Sequence, residues 1–328
     1  MGEVFVVSTP GARVFVRSGV VYVQAPGSDP VPVTYDAELV LLATGAVSIS
    51  GRALRRLAEL GIRVLVLGHR GHVVAEYRPI DRVNKTVEAR MAQYEAKLRG
   101  DALRYAAEMV RAKIVNQARV LRYISKSRRE PWIRDEAYRV EDEAYELSKL
   151  VKSGSLDADR VRGVEARAAK KYWQVLAALL PGDYGFTGRN PRGEDAVNMA
   201  ISYAYAILYG VAYDALIVVG LDPYAGFLHA DRSGRVSLVY DYSDTFKPLI
   251  DRVLFTNIDP ALFDSYKGSL SYESRRKIAE RVTNALTSQV KDFEGKKRPL
   301  RDHVYAYAWS LAKALREKTQ YRAFIAVI

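Results

Sequence analysis

The residue pattern changes once, at Arg78-Pro79-Ile80-Asp81, and that change limits the folds open to the chain. Before it, short runs rich in Val and aromatic residues at 4–7, 13–16, 20–23 and 32–35 are broken by Pro10-Gly11, Ser18-Gly19 and Gly27-Ser28, as strands are broken by turns. Residues 39–42, a helix-like piece at 50–60, and further strand-like runs at 64–67 and 73–77 complete a compact sheet unit. Proline lacks a backbone donor and biases its predecessor away from helix, so the boundary reads as a connector. Beyond it, Ala, Arg, Glu, Leu and Lys recur at helical spacing with little Gly or Pro. The expected class is α+β: an N-terminal β-sandwich-like domain with a short helix at 1–78, a linker at 79–83, and a larger all-α domain at 84–328. Helices are expected at 84–123, 135–151, 166–180, 194–209, 244–255, 271–291 and 305–318, with one hairpin near 227–239.

Composition narrows the class further. A chain of 328 residues, 49% apolar and 27% charged, has material for a large core and a solvated surface. It has no cysteine, which removes disulfides, thiolate metal sites and cysteine nucleophiles and fits a reducing cytoplasm, the expected location. Glu3 stands where a secretory leader carries positive charge, and apolar runs such as 215–221 are far shorter than the roughly 20 residues that cross a bilayer, so no membrane partner is expected. The net charge is +12, with only +2 of it on residues 1–78, so the second part is the better surface for a polyanion.

Four histidines can be weighed singly. His69 and His72 flank a glycine turn with no clustered carboxylates and read as solvated turn residues. His303 follows Asp302 at the start of a helical segment and reads as a capping or surface group. His229 differs, because it closes GLDPYAGFLH (220–229), where two glycines and a proline shape a backbone able to present an imidazole into a cavity. The expected hairpin turns at 231–234, returns along 236–240, and brings His229 beside Asp241 and Asp244. Glu165, near an expected helix start, is the third component.

Each of these has a plainer reading. His229 can serve as a structural histidine bonded to a local carboxylate, Asp241 and Asp244 as charges at a helix N-terminus, Glu165 as a solvated or capping group, and Lys247 as a salt-bridge partner of Asp244. Taken together, two carboxylates and one imidazole make an N/O donor set suited to Mg²⁺ or Mn²⁺, with histidine favouring Mn²⁺ and Zn²⁺ left open. Such an ion polarises a phosphodiester oxygen and activates a water or hydroxyl. Asn198, Ser202, Tyr205 and Tyr209 lie along one side of a helix, either supporting such a site and meeting a base or strand end, or forming an ordinary helix interface. Arg189 and Arg192, and the clusters at 126–129, 275–277 and 296–298 followed by Arg301, suit successive phosphates. Neither a Walker A nor a GxGxxG sequence is present.

Four pieces in order, GVEARAAKKYW (163–173), EDAVNMAISYAYAILY (194–209), GLDPYAGFLH (220–229) and SLVYDYSDTFKPLIDR (237–252), resemble the Cas1 family of CRISPR-associated integrase-nucleases. The resemblance spans nearly the full chain and implies a dimerising β domain followed by a helical catalytic domain. It places the metal-binding glutamate at Glu165, the histidine at His229 and the later carboxylate at Asp244. Asp241 matches the first acid of the family's acidic pair, and the family's Asn-containing helix maps onto Asn198, with Ser202 and Tyr203 near the domain centre. Lys247 stands where many relatives use arginine, which keeps charge and loses the planar donor fork. The family's activity implies a homodimer, with two dimers bridged by the small Cas2 protein, working in antiviral defence with Mg²⁺ or Mn²⁺. Its substrates are double-stranded, branched and 3′-overhang DNA. In the implied reaction a prespacer 3′-hydroxyl attacks a repeat-boundary phosphodiester, and DNA endonuclease capacity uses similar chemistry. The alternatives are a general structure-selective DNA nuclease and a non-catalytic DNA-binding architectural subunit.

Overall fold

The apolar runs ahead of residue 78 form two four-stranded mixed sheets in a computed structural model of the chain, which describes residues 3–34, 36–68, 73–79, 87–230, 233–266 and 268–328. In chain order they are β1 (Glu3–Val7), β2 (Arg13–Arg17), β3 (Val20–Gln24), β4 (Val31–Pro32), β5 (Ala37–Leu42), β6 (Ser48–Ile49), helix α1 (Gly51–Glu59), β7 (Arg63–Leu67) and β8 (Val73–Tyr77). One sheet has the order β1-β5-β7-β8 and the other β4-β3-β2-β6. β2 and β3 form a hairpin whose turn residues Ser18 and Gly19 both have positive φ, the twist that joins antiparallel strands tightly. Ser50 caps α1 by accepting from the amide of Ala53 (3.1 Å).

Strand β5 lies parallel to both β1 and β7 and is buried on both faces from Leu39 to Leu42, which explains the unbroken apolar run there. Val40 and Leu42 pack with Val14, Val21 and Leu57 of the second sheet and α1. Leu39 and Leu41 face the other way and join the core of the helical part.

That part contains α2 (Val87–Leu98), α3 (Ala102–Arg128), α4 (Pro131–Lys152), α5 (Ala158–Ala178), α6 (Ala196–Val218), α7 (Ser237–Ser243), α8 (Lys247–Phe255), α9 (Tyr272–Thr287) and α10 (Leu300–Glu317). The expected class holds: a mixed-sheet N-terminal part with a short helix, then a larger helical one. α6 docks on the first sheet at Gly210, where a Cβ would come within 2.7 Å of Leu41 Cδ1. By length and composition α6 is apolar enough to cross a membrane, yet most of it is buried among other elements, as a core helix is.

Several boundaries depart from expectation. The helix expected at 166–180 starts at Ala158, capped by Asp157 accepting from the amide of Arg160 (2.8 Å), so Glu165 sits inside α5 and not at its start. No hairpin forms at 227–239 among the described residues: the segment expected to return as a strand is α7, whose Leu238, Val239 and Tyr242 fall on one helical face buried in the core. Asp241 is therefore within a helix and caps none. The helix expected at 244–255 begins at Lys247, and Asp244 lies in the break between α7 and α8.

The helix expected at 271–291 ends at Thr287, because 289–292 is a strand. The second part carries a ribbon of β9 (Ser265–Tyr266) and β10 (Ser269–Leu270), and a three-stranded sheet ordered β12 (Lys297–Pro299), β11 (Gln289–Asp292), β13 (Ala326–Val327). His303 is neither a cap nor a surface group; it is fully buried, with Nε2 donating to the Val290 carbonyl (2.9 Å). His69 and His72 lie outside the described residues, as do 80–86 of the expected connector and following helix.

Candidate metal centre

Four helices and one loop converge where the acidic residues meet. α3 contributes Lys113, α5 Glu165, the break after α7 Asp244, the start of α8 Lys247, and the loop after α6 His229. Lys113 Nζ donates to Glu165 Oε1 at 2.5 Å and to Asp244 Oδ2 at 2.9 Å, so one ammonium stands where two carboxylates distant in sequence come together. Lys247 Nζ takes the other oxygen, Asp244 Oδ1.

The break that carries Asp244 has a specific anchor. Asn116, one turn beyond Lys113 on α3, donates from Nδ2 to the carbonyls of Thr245 (2.7 Å) and Phe324 (3.0 Å) and accepts from the amide of Ala326 (2.9 Å). The same helix that supplies the lysine thus holds the backbone beside the aspartate. Asp251 fixes α8 against α5 and α6 by accepting from the hydroxyls of Tyr172 (3.0 Å) and Tyr205 (2.7 Å), and burial pushes its carboxyl up to about 7 against the pull of those hydrogen bonds.

Burial by itself would raise the carboxyl of Asp244, but the charges of Lys113 and Lys247 outweigh it and hold the group far below the ordinary carboxylate range. Burial by itself would lower both lysines; Asp244, with Glu165 in the case of Lys113, instead raises them. The constellation is two carboxylates balanced by two ammonium groups.

Asp241 does not join those carboxylates. It accepts from the amides of Phe227 (2.6 Å), Leu228 (2.9 Å) and His229 (3.1 Å) and bonds the imidazole Nδ1, so the loop wraps around its carboxylate. Gly226 makes the wrap possible: a Cβ there would meet Ser237 Cβ at 2.6 Å and Asp241 Oδ2 at 3.1 Å. Engagement of Nδ1 leaves Nε2 as the ring nitrogen for a ligand, the arrangement in which a carboxylate fixes tautomer and ring orientation. The plainer reading of His229, a histidine bonded to a local carboxylate, is thus met by Asp241, while the imidazole stays about a third exposed (30%) and near enough to Asp244 to act on its charge. Asp241→Ala removes the acceptor for three backbone N–H groups, and we expect a loss of about 3 kcal/mol in denaturant unfolding; a loss below about 1 kcal/mol would show that the loop does not depend on this carboxylate.

The remaining supporting residues act at a distance or not at all. Asn198 is buried and faces the loop before α6: its Oδ1 accepts from Arg189 Nη1 (3.0 Å) and the amide of Asn190 (2.8 Å), and its Nδ2 donates to Gly188 O (3.1 Å) and Asp195 Oδ2 (2.8 Å). It braces Arg189, whose guanidinium also reaches Ser202 Oγ (2.9 Å) and lies 5.6 Å from the Tyr205 ring centre. Tyr205 and Tyr209 flank Lys247, with their ring centres 5.2 and 5.0 Å from its Nζ. Tyr203 is half-buried, with its hydroxyl enclosed and unpartnered. Sequence reasoning missed Lys113 and Asn116, because a lysine and an asparagine inside a long basic helix carry no motif.

Among the described residues no three His, Asp or Glu side chains already stand as a metal cluster. The donor chemistry nevertheless fits a divalent cation: the point shared by Glu165 and Asp244 is held by the ammonium of Lys113, a cation standing between the two oxygens.

The family model for CRISPR associated protein Cas1 matches residues 5–284. A CRISPR-associated endonuclease Cas1 from Hyperthermus butylicus is 57% identical over 329 residues, covering 99% of either chain. Of solved structures, a casposase bound to an integration product is similar with a TM-score of 0.77 at 20% identity, covering 98% of this chain and 92% of its own. A chain of a Cas6-RT-Cas1–Cas2 complex is similar with a TM-score of 0.75 at 18% identity, covering 100% of this chain and 36% of that one. At such identities the structures speak to the fold, whereas the family match and the full-length relative speak to descent. The chain belongs to the Cas1 family of CRISPR-associated proteins.

Proposed function

We propose that this chain is a metal-dependent DNA integrase with endonuclease capacity, inserting prespacer DNA into a repeat array, and that Glu165, His229 and Asp244 hold its Mg²⁺ or Mn²⁺. One observation carries the reading: Glu165 and Asp244, far apart in sequence, converge on a single cation position, beside an imidazole whose other nitrogen is already engaged. The names of related proteins support it, one an endonuclease and another a casposase bound to an integration product.

In the reaction the oxygen of a prespacer 3′-hydroxyl forms a bond to phosphorus at the repeat boundary, the bond from that phosphorus to the repeat strand's 3′-oxygen breaks, and the proton of the attacking hydroxyl ends on the departing one. One phosphodiester replaces another. A divalent ion, when bound, supplies Lewis-acid polarisation of the phosphate and activation of the attacking hydroxyl. The chain's own groups do the rest. Asp241 orients the imidazole, and Lys247, seated between two tyrosine rings, offers positive charge to a phosphate oxygen. The β domains join two copies, Cas2 bridges two such dimers, and double-stranded, branched and 3′-overhang DNA is the substrate; the Cas1–Cas2 arrangement named in a similar structure supports this assembly. On this reading residues 1–78, 79–83 and 84–328 are the dimerising, linking and catalytic units.

Strand-transfer assays with a 3′-overhang prespacer and repeat DNA in Mn²⁺ test the proposal. Covalent joints between the two substrates are expected. Cutting of branched DNA without joints would favour a structure-selective nuclease, and binding without any change in connectivity would favour an architectural subunit.

Lys113 gives a separate expectation. Its charge competes for the position that a divalent ion would take, so Lys113→Met should tighten Mn²⁺ binding roughly tenfold while lowering the thermal stability of metal-free protein. Calorimetric Mn²⁺ titration and thermal unfolding read both effects. An unchanged Mn²⁺ affinity would mean that the ion binds elsewhere.

A further inference from the structure

Beyond the far end of α8 from Lys247, a cavity of about 430 Å³ opens between α3, the end of α8 and α9. Its lining includes Tyr123, Arg252, Thr256, Asn257, Arg281 and Asn284, with no carboxylate. Arg252 is half-buried, its guanidinium lies 5.1 Å from the ring centre of Tyr123, and among the described residues no carboxylate is within ion-pairing distance of it. Other arginines nearby are engaged. Arg281 donates to the carbonyls of Val253 (3.0 Å) and Asn257 (2.8 Å), and Arg276 pairs with Glu273 (2.7 Å). The hydroxyl of Thr256, on the cavity wall, is buried with no hydrogen-bond partner.

A position in the last turn of α8 explains why a cation is tolerated there, since the helix C-terminus favours positive charge. It does not explain why the guanidinium is taken partly out of water into a concave site without an anion. Burial lowers its affinity for the proton, opposed by the Tyr123 ring, so the charge is held at some cost to the fold. A planar five-donor fork, an unpartnered hydroxyl and two side-chain amides around an acid-free cavity are the donor set that a phosphate group satisfies.

We propose that this cavity binds one phosphate of the DNA backbone, with Arg252 as its forked donor, aided by Thr256, Asn257 and Asn284. The proposal rests on the reading that the chain acts on DNA. Bound there, a strand would lie along α8, at whose other end Lys247 meets Asp244.

Affinity of full-length protein for repeat duplex, measured across salt concentrations, tests it. Arg252→Met keeps the apolar stem beside Tyr123 and removes the charge. The expected result is about tenfold weaker binding, a slope of log K against log salt smaller in magnitude by about 0.9, and a Tm unchanged or raised. Arg252→Lys, which keeps the charge and loses the fork, should retain the slope and lose part of the affinity. A thermal-shift titration with inorganic phosphate separates the two sources of the ligand. Unchanged DNA binding in Arg252→Met together with loss of a phosphate-induced shift would overturn the backbone assignment in favour of free phosphate. No change in either measurement would overturn the site. Failure of the wild-type protein to bind duplex at low salt would instead overturn the DNA reading beneath it.

Discussion

Glu165→Gln, His229→Ala and Asp244→Asn proteins should fold and bind DNA yet lose Mn²⁺-dependent strand transfer, by on the order of 10²- to 10³-fold each. The amide variants nearly preserve shape, so a loss reports charge and donor chemistry and not a cavity. Asp244 is the most enclosed of the three, at 5% side-chain exposure, and it has two ammonium partners; Glu165 has one and is 18% exposed. Neutralising Asp244 therefore strands two positive charges, and its metal-free protein should be the less stable of the two amide variants. His229→Ala leaves Asp241 still accepting from backbone amides, so the loop should persist while the ring nitrogen is lost. Circular dichroism and a duplex-binding isotherm establish that the proteins are intact, and the yield of covalent joints reads the chemistry. Full strand transfer in any one variant would remove that residue from the proposed ligand set.

What could be read in advance divides along physical lines. Most strands in the first part were legible because they are short, set between turn residues, and either alternating or largely apolar; β8 at Val73–Tyr77 coincides with the expected span, whereas β4 is Val31–Pro32 where 32–35 was expected, and the two-residue β6 was too short to show a pattern. The long helices were legible from spacing, although their ends were not. The start expected at 166 was too late, because the cap is supplied earlier by Asp157. The stretch around Val236 misled for a different reason. A run of alternating apolar residues seven long satisfies both periods, and the surrounding helical core selects the helix. Of the site, the identities of Glu165, His229 and Asp244 came through ordered resemblance, and their proximity came through neither spacing nor the expected hairpin. Lys113 was invisible because its role exists only in three dimensions. Asp241 was legible as an acid near His229, while its hold on three backbone amides depends on a loop closure that only the fold supplies.

The junction of the two parts gives the other large effect. Arg63 of β7 lies 2.7 Å from Asp214 Oδ1 of α6, with side-chain exposures of 13% and 0%, and Tyr305 of α10 donates to the second oxygen. The Arg63 Nε–H is not aligned on that oxygen, so the contact is an ion pair and not a directed hydrogen bond. Burial pushes the Asp214 carboxyl up to about 6, outweighing the opposing pull of Arg63 and Tyr305. Asp214→Ala leaves the largely buried Arg63 guanidinium with only its longer contact to the partly exposed Glu38 (3.9 Å) and a buried hydroxyl without its acceptor; the expected cost is about 3 kcal/mol, a Tm lower by roughly 4–5 °C. Replacing both charges, Arg63→Met with Asp214→Leu, should recover the part of that loss that comes from the guanidinium, while the Tyr305 hydroxyl still lacks its acceptor. The pH dependence has a definite sign. Because the folded carboxyl holds its proton more tightly than free aspartate at 3.8, stability from this group is greatest at low pH and declines as pH rises from about 4 through about 6. That decline should be present in the wild type and flattened in the double variant. Denaturant unfolding of the four proteins of the cycle at pH 5 and pH 8 checks both claims. A double variant as unstable as Asp214→Ala would show that packing at the junction, and not the pairing of these charges, sets the stability lost.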